Sequence, residues 1–453
     1  MYDVVVYIKY VNIIININII WFKYLSIQST RMEEDNFSFL ESEPSLLDMS
    51  ASFNRKESQK KAKDRTIYLI TALGSLTIIE YFTKDYLKSY SNYLFGNSNP
   101  NRCYTYLYFD FYSLSGRYFI FFLIYNYINI YAALCIIFLD NVSFALSNII
   151  KFFCLEPRPF WETSSLFPCL CITDYTGASS IGTNSVILFL SLYRMFTIKS
   201  NNKVFKVLFG LMCLLCICVI CFIRLKQNVD YLHQIVFGVC LGVAIHFWFY
   251  YILKVNVYNK KQFKQLITKP LIVLTLTISC WAIVSMCHFN SNTRTKPKYI
   301  VNIQKYCDLN TVYSFDKEAF IKNIQIFEFY GCYLGTWLEY WYTFKGNSKL
   351  FGKYNIKSNN EMFNQTGWAT SFVRFVLFYL VHVVFVKRII IDTIEEIEID
   401  SGTFVMTVCF GFLPMMIEGI GFFYVLKRAV VKVKLTNEKI VYGIQDDTDN
   451  SMN

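Results

Sequence analysis

The sequence predicts an all-α, polytopic transmembrane bundle of about nine to ten spans. Composition predicts it first: of 453 residues, 54% are hydrophobic and only 17% charged, against about 25% charged in an ordinary soluble domain. Block length predicts it second. The apolar residues come in continuous runs of about 20, the length that crosses a hydrocarbon core about 30 Å thick. Backbone polar groups in lipid must be bonded internally, so such runs are helices or barrel strands. They lack the alternation of barrel strands, which leaves helices.

Taken in order, residues 4–22 are apolar but interrupted by Lys9, Asn12, Asn16 and Asn18. That stretch reads as a poor signal anchor, a weak span or an upstream region outside the mature protein. Residues 31–65 are polar and of mixed charge, ending in Lys60, Lys61, Lys63 and Arg65. The whole of 1–65 is therefore an N-terminal extension, disordered in its polar part. A transmembrane domain follows over 66–430, and 431–453 form a tail. The expected spans are 66–83, 116–139, 142–155, 181–197, 204–223, 234–253, 270–287, 319–342, 367–387 and 403–426.

The net charge of +11 does not point to nucleic acid, because Lys and Arg collect in the loops between spans. Lys199, Lys203 and Lys206 mark one cytoplasmic loop, and Lys254, Lys260, Lys261, Lys264 and Lys269 mark another. Lys427, Arg428, Lys432 and Lys434 put the C-terminus on the same side. The helices between them carry residues 156–180 and 224–233 to the opposite, non-cytoplasmic face.

The 15 Cys show neither a disulfide framework nor zinc-ligand spacing. Cys213, Cys216, Cys218 and Cys221 fall inside an apolar run, where Cys acts as a small hydrophobe. Neither a metal nor a cofactor is expected. His246, His288 and His382 lie in or near spans and read as packing or interfacial groups. Asp392, Glu395, Glu396 and Glu398 read as a solvated acidic loop. The aromatic fraction of 19% is interfacial anchoring together with an A+T-rich coding bias, not a functional stripe.

Three clusters remain on the non-cytoplasmic face. The first is Lys151-x6-Arg158-Pro159, followed by Phe160-Trp161. A Lys and a planar Arg on a Pro-stiffened loop suit a phosphate, one as a point charge and one as a fork. The second is Gly177-Ala178-Ser179-Ser180 directly before a span, where hydroxyls and free backbone N–H groups make an anion site. The third is Arg224, with Asp230, His233 and Gln234 opening the next span. Taken singly, each has a plain structural reading: a cation at a helix end snorkels to headgroups, and a Ser pair caps a helix. Chance does not readily supply all three in this order at one face.

In this order and spacing the residues resemble the membrane-bound type 2 phosphatidic acid phosphatase superfamily, and within it the catalytic subunit of glucose-6-phosphatase. The second motif falls on Cys171 to Thr183 and the third on Ile223 to Gly238, where His233-Gln234 is similar to glucose-6-phosphatase in particular. Gln304 to Cys307 resembles that enzyme's later lumenal loop. The resemblance spans about residues 105–340, with the helical core at about 116–253.

The resemblance implies that Lys151, Arg158, Ser179 and Arg224 hold a phosphate, with Ser180 beside them. It also implies two histidines: a nucleophile in the third motif and an acid in the second. Here those positions are Asp230 and Ile181. Ile181 carries no proton, so the grip is kept and the working groups are replaced.

Three readings follow. The protein binds a phosphorylated small molecule, glucose 6-phosphate by resemblance, without hydrolysing it. Or catalysis is rebuilt on Asp230 or on His233, which a helix would place one turn on. Or the chain is a membrane scaffold or the partner of a sugar-phosphate transporter and binds no phosphate. The expected location, by resemblance, is the endoplasmic reticulum membrane with the site lumenal and the C-terminus cytoplasmic. Asn36, Asn141 and Asn364 stand in glycosylation sequons.

Overall fold

A computed structural model describes residues 67–68, 71–72, 74–75, 83–90, 120–121, 123–124, 130–163, 166–172, 174–198, 200–252, 255, 270–275, 277–279, 282, 297–307, 330–338, 372 and 376. The chain falls into two compact units. The larger takes Asp85–His246 and Val255–Asn453 and contains every motif residue; the smaller takes Met1–Lys84 and Phe247–Lys254. The described part of the smaller unit is helical, and its Phe249, Tyr250 and Ile252 are buried.

Helix α1 runs over Ile130–Cys154 without a break. This corrects the expectation of two spans at 116–139 and 142–155. Asp140 and Asn141 fall between the two expected spans. They stay in the helix because their neighbours' polar atoms are satisfied within the fold. Asn141 Nδ2 donates to Ile137 O at 2.9 Å, and Ser143 Oγ lies 2.8 Å from Asp140 O and 2.5 Å from Asn184 Oδ1. Back-bonding of this kind keeps short polar side chains inside a helix. It also places the Asn141 sequon in a buried helix, where a glycan has no room.

The end of α1 sets up the site. Lys151 lies in its last turn, where a cation meets the helix dipole. Leu155 then adopts φ 45, the left-handed cap that more often belongs to Gly, with its N–H bonded to Lys151 O at 2.9 Å. The chain reverses, and Glu156 forms an antiparallel bridge with Thr176, the sole β pairing among the described residues. Pro159 starts the short helix α2, Pro159–Glu162, directly after Arg158.

Helix α3, Ser180–Thr197, starts on Ser179, whose hydroxyl accepts from Gly182 N–H at 3.3 Å. Helix α4, Lys203–Lys226, is capped by Asn202, whose Oδ1 accepts from Val204 and Phe205 N–H. It ends on the cations Arg224 and Lys226. Helix α5 covers Leu232–Phe247 and runs into a π-helical turn, Trp248–Ile252. Helix α6 is Pro297–Tyr306.

Helix α3 packs against both α1 and α4, and α6 packs on α2. Helix α5 approaches α3 through Gly238 and Gly242, four residues apart on one face. A Cβ on Gly238 would stand 2.4 Å from Ser179 O, and one on Gly242 would stand 2.6 Å from Thr183 O. Only Gly permits that approach, and it brings the second and third motifs together.

Among the described residues, three helices are long and apolar enough to cross a membrane: Ala132–Lys151, Lys203–Lys226 and Leu232–Ile252. Helix α4 turns Val207, Leu208, Leu211, Leu214 and Leu215 outward, as contact with lipid requires. The doubtful segment 4–22 and the expected span 403–426 lie outside the described residues, those at 66–83, 319–342 and 367–387 do so for the most part, and 270–287 does so in part.

The expectation of no disulfides is corrected. Cys171 is bridged to Cys307, and Cys169 is also disulfide-bonded. The bridged residues are 136 apart in sequence, so no local spacing signalled the pair. Cys213, Cys216, Cys218 and Cys221 lie within α4 as free thiols.

Gly238→Ala should lower the melting midpoint of the detergent-purified protein, by the equivalent of about 1–3 kcal/mol for overpacking against backbone. Gly210→Ala should cost less, because its Cβ would meet only the Tyr193 ring, at 3.2 Å. Equal effects would show that the α5–α3 approach is not tight.

Candidate functional site: a buried ion-pair network at one end of the bundle

Helix α1 ends, α3 begins, α4 ends and α5 begins at the same end of the bundle, so the three motifs converge there. Two further bonds tie their loops together. Cys169 N–H donates to Gln227 O at 3.1 Å, and Asn228 Nδ2 donates to Phe167 O at 2.9 Å. Asn228 sits at φ 54, a conformation Asn tolerates, and this turns the chain so that Asp230 points inward.

Arg158 is the hub, with 2% of its surface exposed. Its Nε donates to Asp174 O at 2.7 Å, and Nη1 donates to Val229 O at 2.9 Å and to Asp230 Oδ1 at 3.1 Å. Its Nη2 pairs with Asp174 Oδ1. Lys151 Nζ donates to Asp174 Oδ2 and to Ser180 Oγ, each at 3.2 Å. Arg224 Nε donates to Asp230 Oδ2 at 3.2 Å, Ser179 Oγ donates to the same oxygen at 2.8 Å, and Thr176 Oγ1 reaches Asp230 Oδ1 at 3.3 Å.

The structure thus brings together Lys151, Arg158, Ser179, Ser180, Arg224 and Asp230. Three cations face two carboxylates, Asp174 and Asp230, leaving one net positive charge. Burial pushes the Asp230 carboxyl upward. Arg224, then Arg158, Lys151 and the Ser179 hydroxyl outweigh it and hold the pKa at about 2. Asp230 is therefore an anion at neutral pH.

Ile181 stands in the first turn of α3, half-buried. His233 is not beside Asp230 on a helical face, which corrects the expected placement. Helix α5 starts at Leu232, so Asp230 belongs to the preceding loop and helical spacing does not apply. His233 Nε2 instead lies 2.9 Å from Glu156 Oε2, which also accepts from Gln234 Nε2 at 3.0 Å. Gln234 Oε1 in turn takes the Tyr231 N–H at 2.8 Å, closing the start of α5.

Asp174 and Glu156 are site residues that motif reading missed. Their signal was charge: both carboxylates lie with Arg158 in the connection between α1 and α3. A third carboxylate, Glu162, pairs with Lys88 and accepts from Tyr231 Oη at 2.9 Å. Burial, and then Glu162, push the Tyr231 hydroxyl well above the usual phenol range. Outside the network lies an apolar cluster of Phe160, Trp161, Tyr175, Tyr299 and Ile303, closed by Cys307. Asn302 Nδ2 donates to Trp161 O at 2.6 Å, so α6 and its disulfide hold down the loop that carries Arg158. Among the described residues no group of His, Cys, Asp or Glu has the form of a metal site.

Residues 122–258 match the model of the PAP2 superfamily, and this segment is a PAP2 superfamily domain. All three motifs lie within it. No curated protein and no solved structure matches the chain. A phosphoesterase-type fold with apolar helices long enough to span a bilayer fits a membrane protein with a phosphate-bearing ligand.

Two outcomes test this network. Arg158→Ala would take the shared guanidinium from two buried carboxylates and two carbonyls, so it should destabilise the fold by about 3–5 kcal/mol in chemical denaturation. The variant therefore cannot report on ligand binding alone; Arg158→Lys is the usable probe. For Asp230, a folded pKa of about 2 lies below the unfolded value of about 3.9. Its contribution to stability is whole above about pH 4 and is lost as pH falls through about 2. Melting curves from pH 5 to pH 2 should show this loss in the wild type and not in Asp230→Asn.

Proposed function

We propose that this is a PAP2-type membrane protein that holds a phosphomonoester and has lost its hydrolysis, a pseudophosphatase. The observation that carries the reading is that Arg158, Ser179 and Arg224, one from each motif, all bond the oxygens of one carboxylate, Asp230. Groups from three distant segments are thus assembled around an oxyanion, with Lys151 one residue further out through Asp174. The family acts on phosphorylated molecules, and resemblance to glucose-6-phosphatase makes a sugar phosphate such as glucose 6-phosphate the first ligand to try.

Loss of turnover follows from the two replaced positions. Ile181 cannot protonate a leaving oxygen. Asp230 accepts from Arg158, Thr176, Ser179 and Arg224, which occupies the lone-pair sites a nucleophile needs. A rebuilt enzyme on His233 is disfavoured because Glu156 engages that ring. Missing proton transfer alone costs about 10²–10⁴-fold in rate.

The site sits at the end of the bundle that carries the Cys171–Cys307 bridge. A disulfide there supports an oxidising compartment, in keeping with a lumenal site in the endoplasmic reticulum and basic loops on the cytoplasmic side. A sugar-phosphate transporter is the partner this location suits.

Purified protein should show no release of phosphate from glucose 6-phosphate or other phosphomonoesters, and vanadate binding that Arg158→Lys weakens. Turnover abolished by Asp230→Ala or His233→Ala would replace this reading with a rebuilt enzyme. Neither turnover nor oxyanion binding would leave a membrane scaffold.

A further inference from the structure

The grip is already full. Asp230 is 3% exposed, and its two carboxylate oxygens receive two guanidinium groups and two hydroxyls. A carboxylate and two oxygens of a phosphate present similar acceptors to a guanidinium fork. The residue arrives on a non-helical connection between α4 and α5, Gln227 to Tyr231, turned at Asn228.

Charge decides what the grip can take. With Asp230 in place the three cations and two carboxylates leave one positive charge, and a phosphate dianion would bring the buried site to one negative charge. With Asp230 withdrawn the site would carry two positive charges, which a dianion neutralises. Asp174 does not share this role: it pairs with Lys151 and Arg158 and leaves Arg224 and Ser179 to Asp230.

Resting on the phosphate-site reading, we propose that the Asp230 carboxylate is the resident anion of this grip, and that a phosphate or phosphomonoester enters only by displacing it. The protein carries its own competitive inhibitor, so wild-type affinity is set by the exchange of one anion for another. The groups facing Asp230 are Arg158, Thr176 and Ser179 from the first long loop and Arg224 from α4, and all remain to receive the incoming oxygens.

The test is binding of labelled inorganic phosphate to the full-length protein, comparing wild type, Asp230→Asn and Asp174→Asn. Asp230→Asn should bind roughly tenfold or more tightly than wild type, the scale set by removing a like charge at contact distance. Asp174→Asn makes the same change in net charge but leaves Asp230 in place, and should gain less. An unchanged or weakened Asp230→Asn overturns the proposal, and so does an equal gain in Asp174→Asn. Should Asp230→Asn not accumulate, recovery of folded protein in phosphate buffer but not in chloride supports it, and failure in both overturns it. Competition by glucose 6-phosphate or by a short-chain phosphatidic acid then separates a soluble from a lipid source. Wild type that binds phosphate, with no gain in Asp230→Asn, sinks this inference alone. Hydrolysis by wild type sinks the pseudophosphatase reading instead.

Discussion

The Arg158 guanidinium is the interaction on which the site depends. It is a rigid fork with several donors, it is buried, and it is bonded on one side to Asp174 and on the other to Val229 and Asp230. A lysine has no such planar fork to offer. Much of the geometry around it serves to bring the fork to its partners. Leu155 turns the chain out of α1, the Glu156–Thr176 bridge aligns the loop, and Pro159 starts the short helix behind it. Burying this charge would be prohibitive without carboxylates at hand, so the acidic residues are part of the site's architecture.

A second constraint is closeness. The grip needs Ser179 on α3 and Asp230 just before α5 within hydrogen-bond distance of each other. That distance depends on Gly238 and Gly242, which let α5 lie against the backbone of Ser179 and Thr183. The hydrogen bond from Ser179 N–H to Gln234 O, at 2.9 Å, fixes the register of the two segments. Along α1 and α3, Ser143 with Asn184, Ser147 with Thr183 and Lys151 with Ser180 form a series of polar contacts leading up to the site. These contacts satisfy polar groups inside the bundle and hold Lys151 at the height of the motif loops.

The same arrangement underlies the proposed loss of turnover. A site for phosphoryl transfer needs a nucleophile whose lone pair is free and an acid whose proton is mobile. At the positions that the resemblance assigns to nucleophile and acid, this chain has a carboxylate saturated by donors, Asp230, and an aliphatic side chain, Ile181. The histidine nearest in sequence is engaged by Glu156, outside the cation network. On the proposed reading, what remains is a set of oxyanion donors without the groups that break a bond.

The sequence by itself determined the membrane-helical class, because block length and low charge are properties of the chain that the solvent reads directly. It determined the three motifs and which residue types were replaced in them, since identity and spacing are local. It showed the helices from Ser180, Lys203 and Leu232 to within a few residues, because caps and apolar runs coincide there. It misjudged α1, where satisfied polar side chains look like a break. Only tertiary structure decided that Cys171 reaches Cys307, that Asp174 lies among the site cations, and that His233 pairs with Glu156. These depend on which distant segments meet and on the exact residue at which a helix starts. Above all, only the folded chain shows that Arg158, Ser179 and Arg224 all bond Asp230: a residue's identity is visible in sequence, whereas a hydrogen bond between distant segments is a fact of packing.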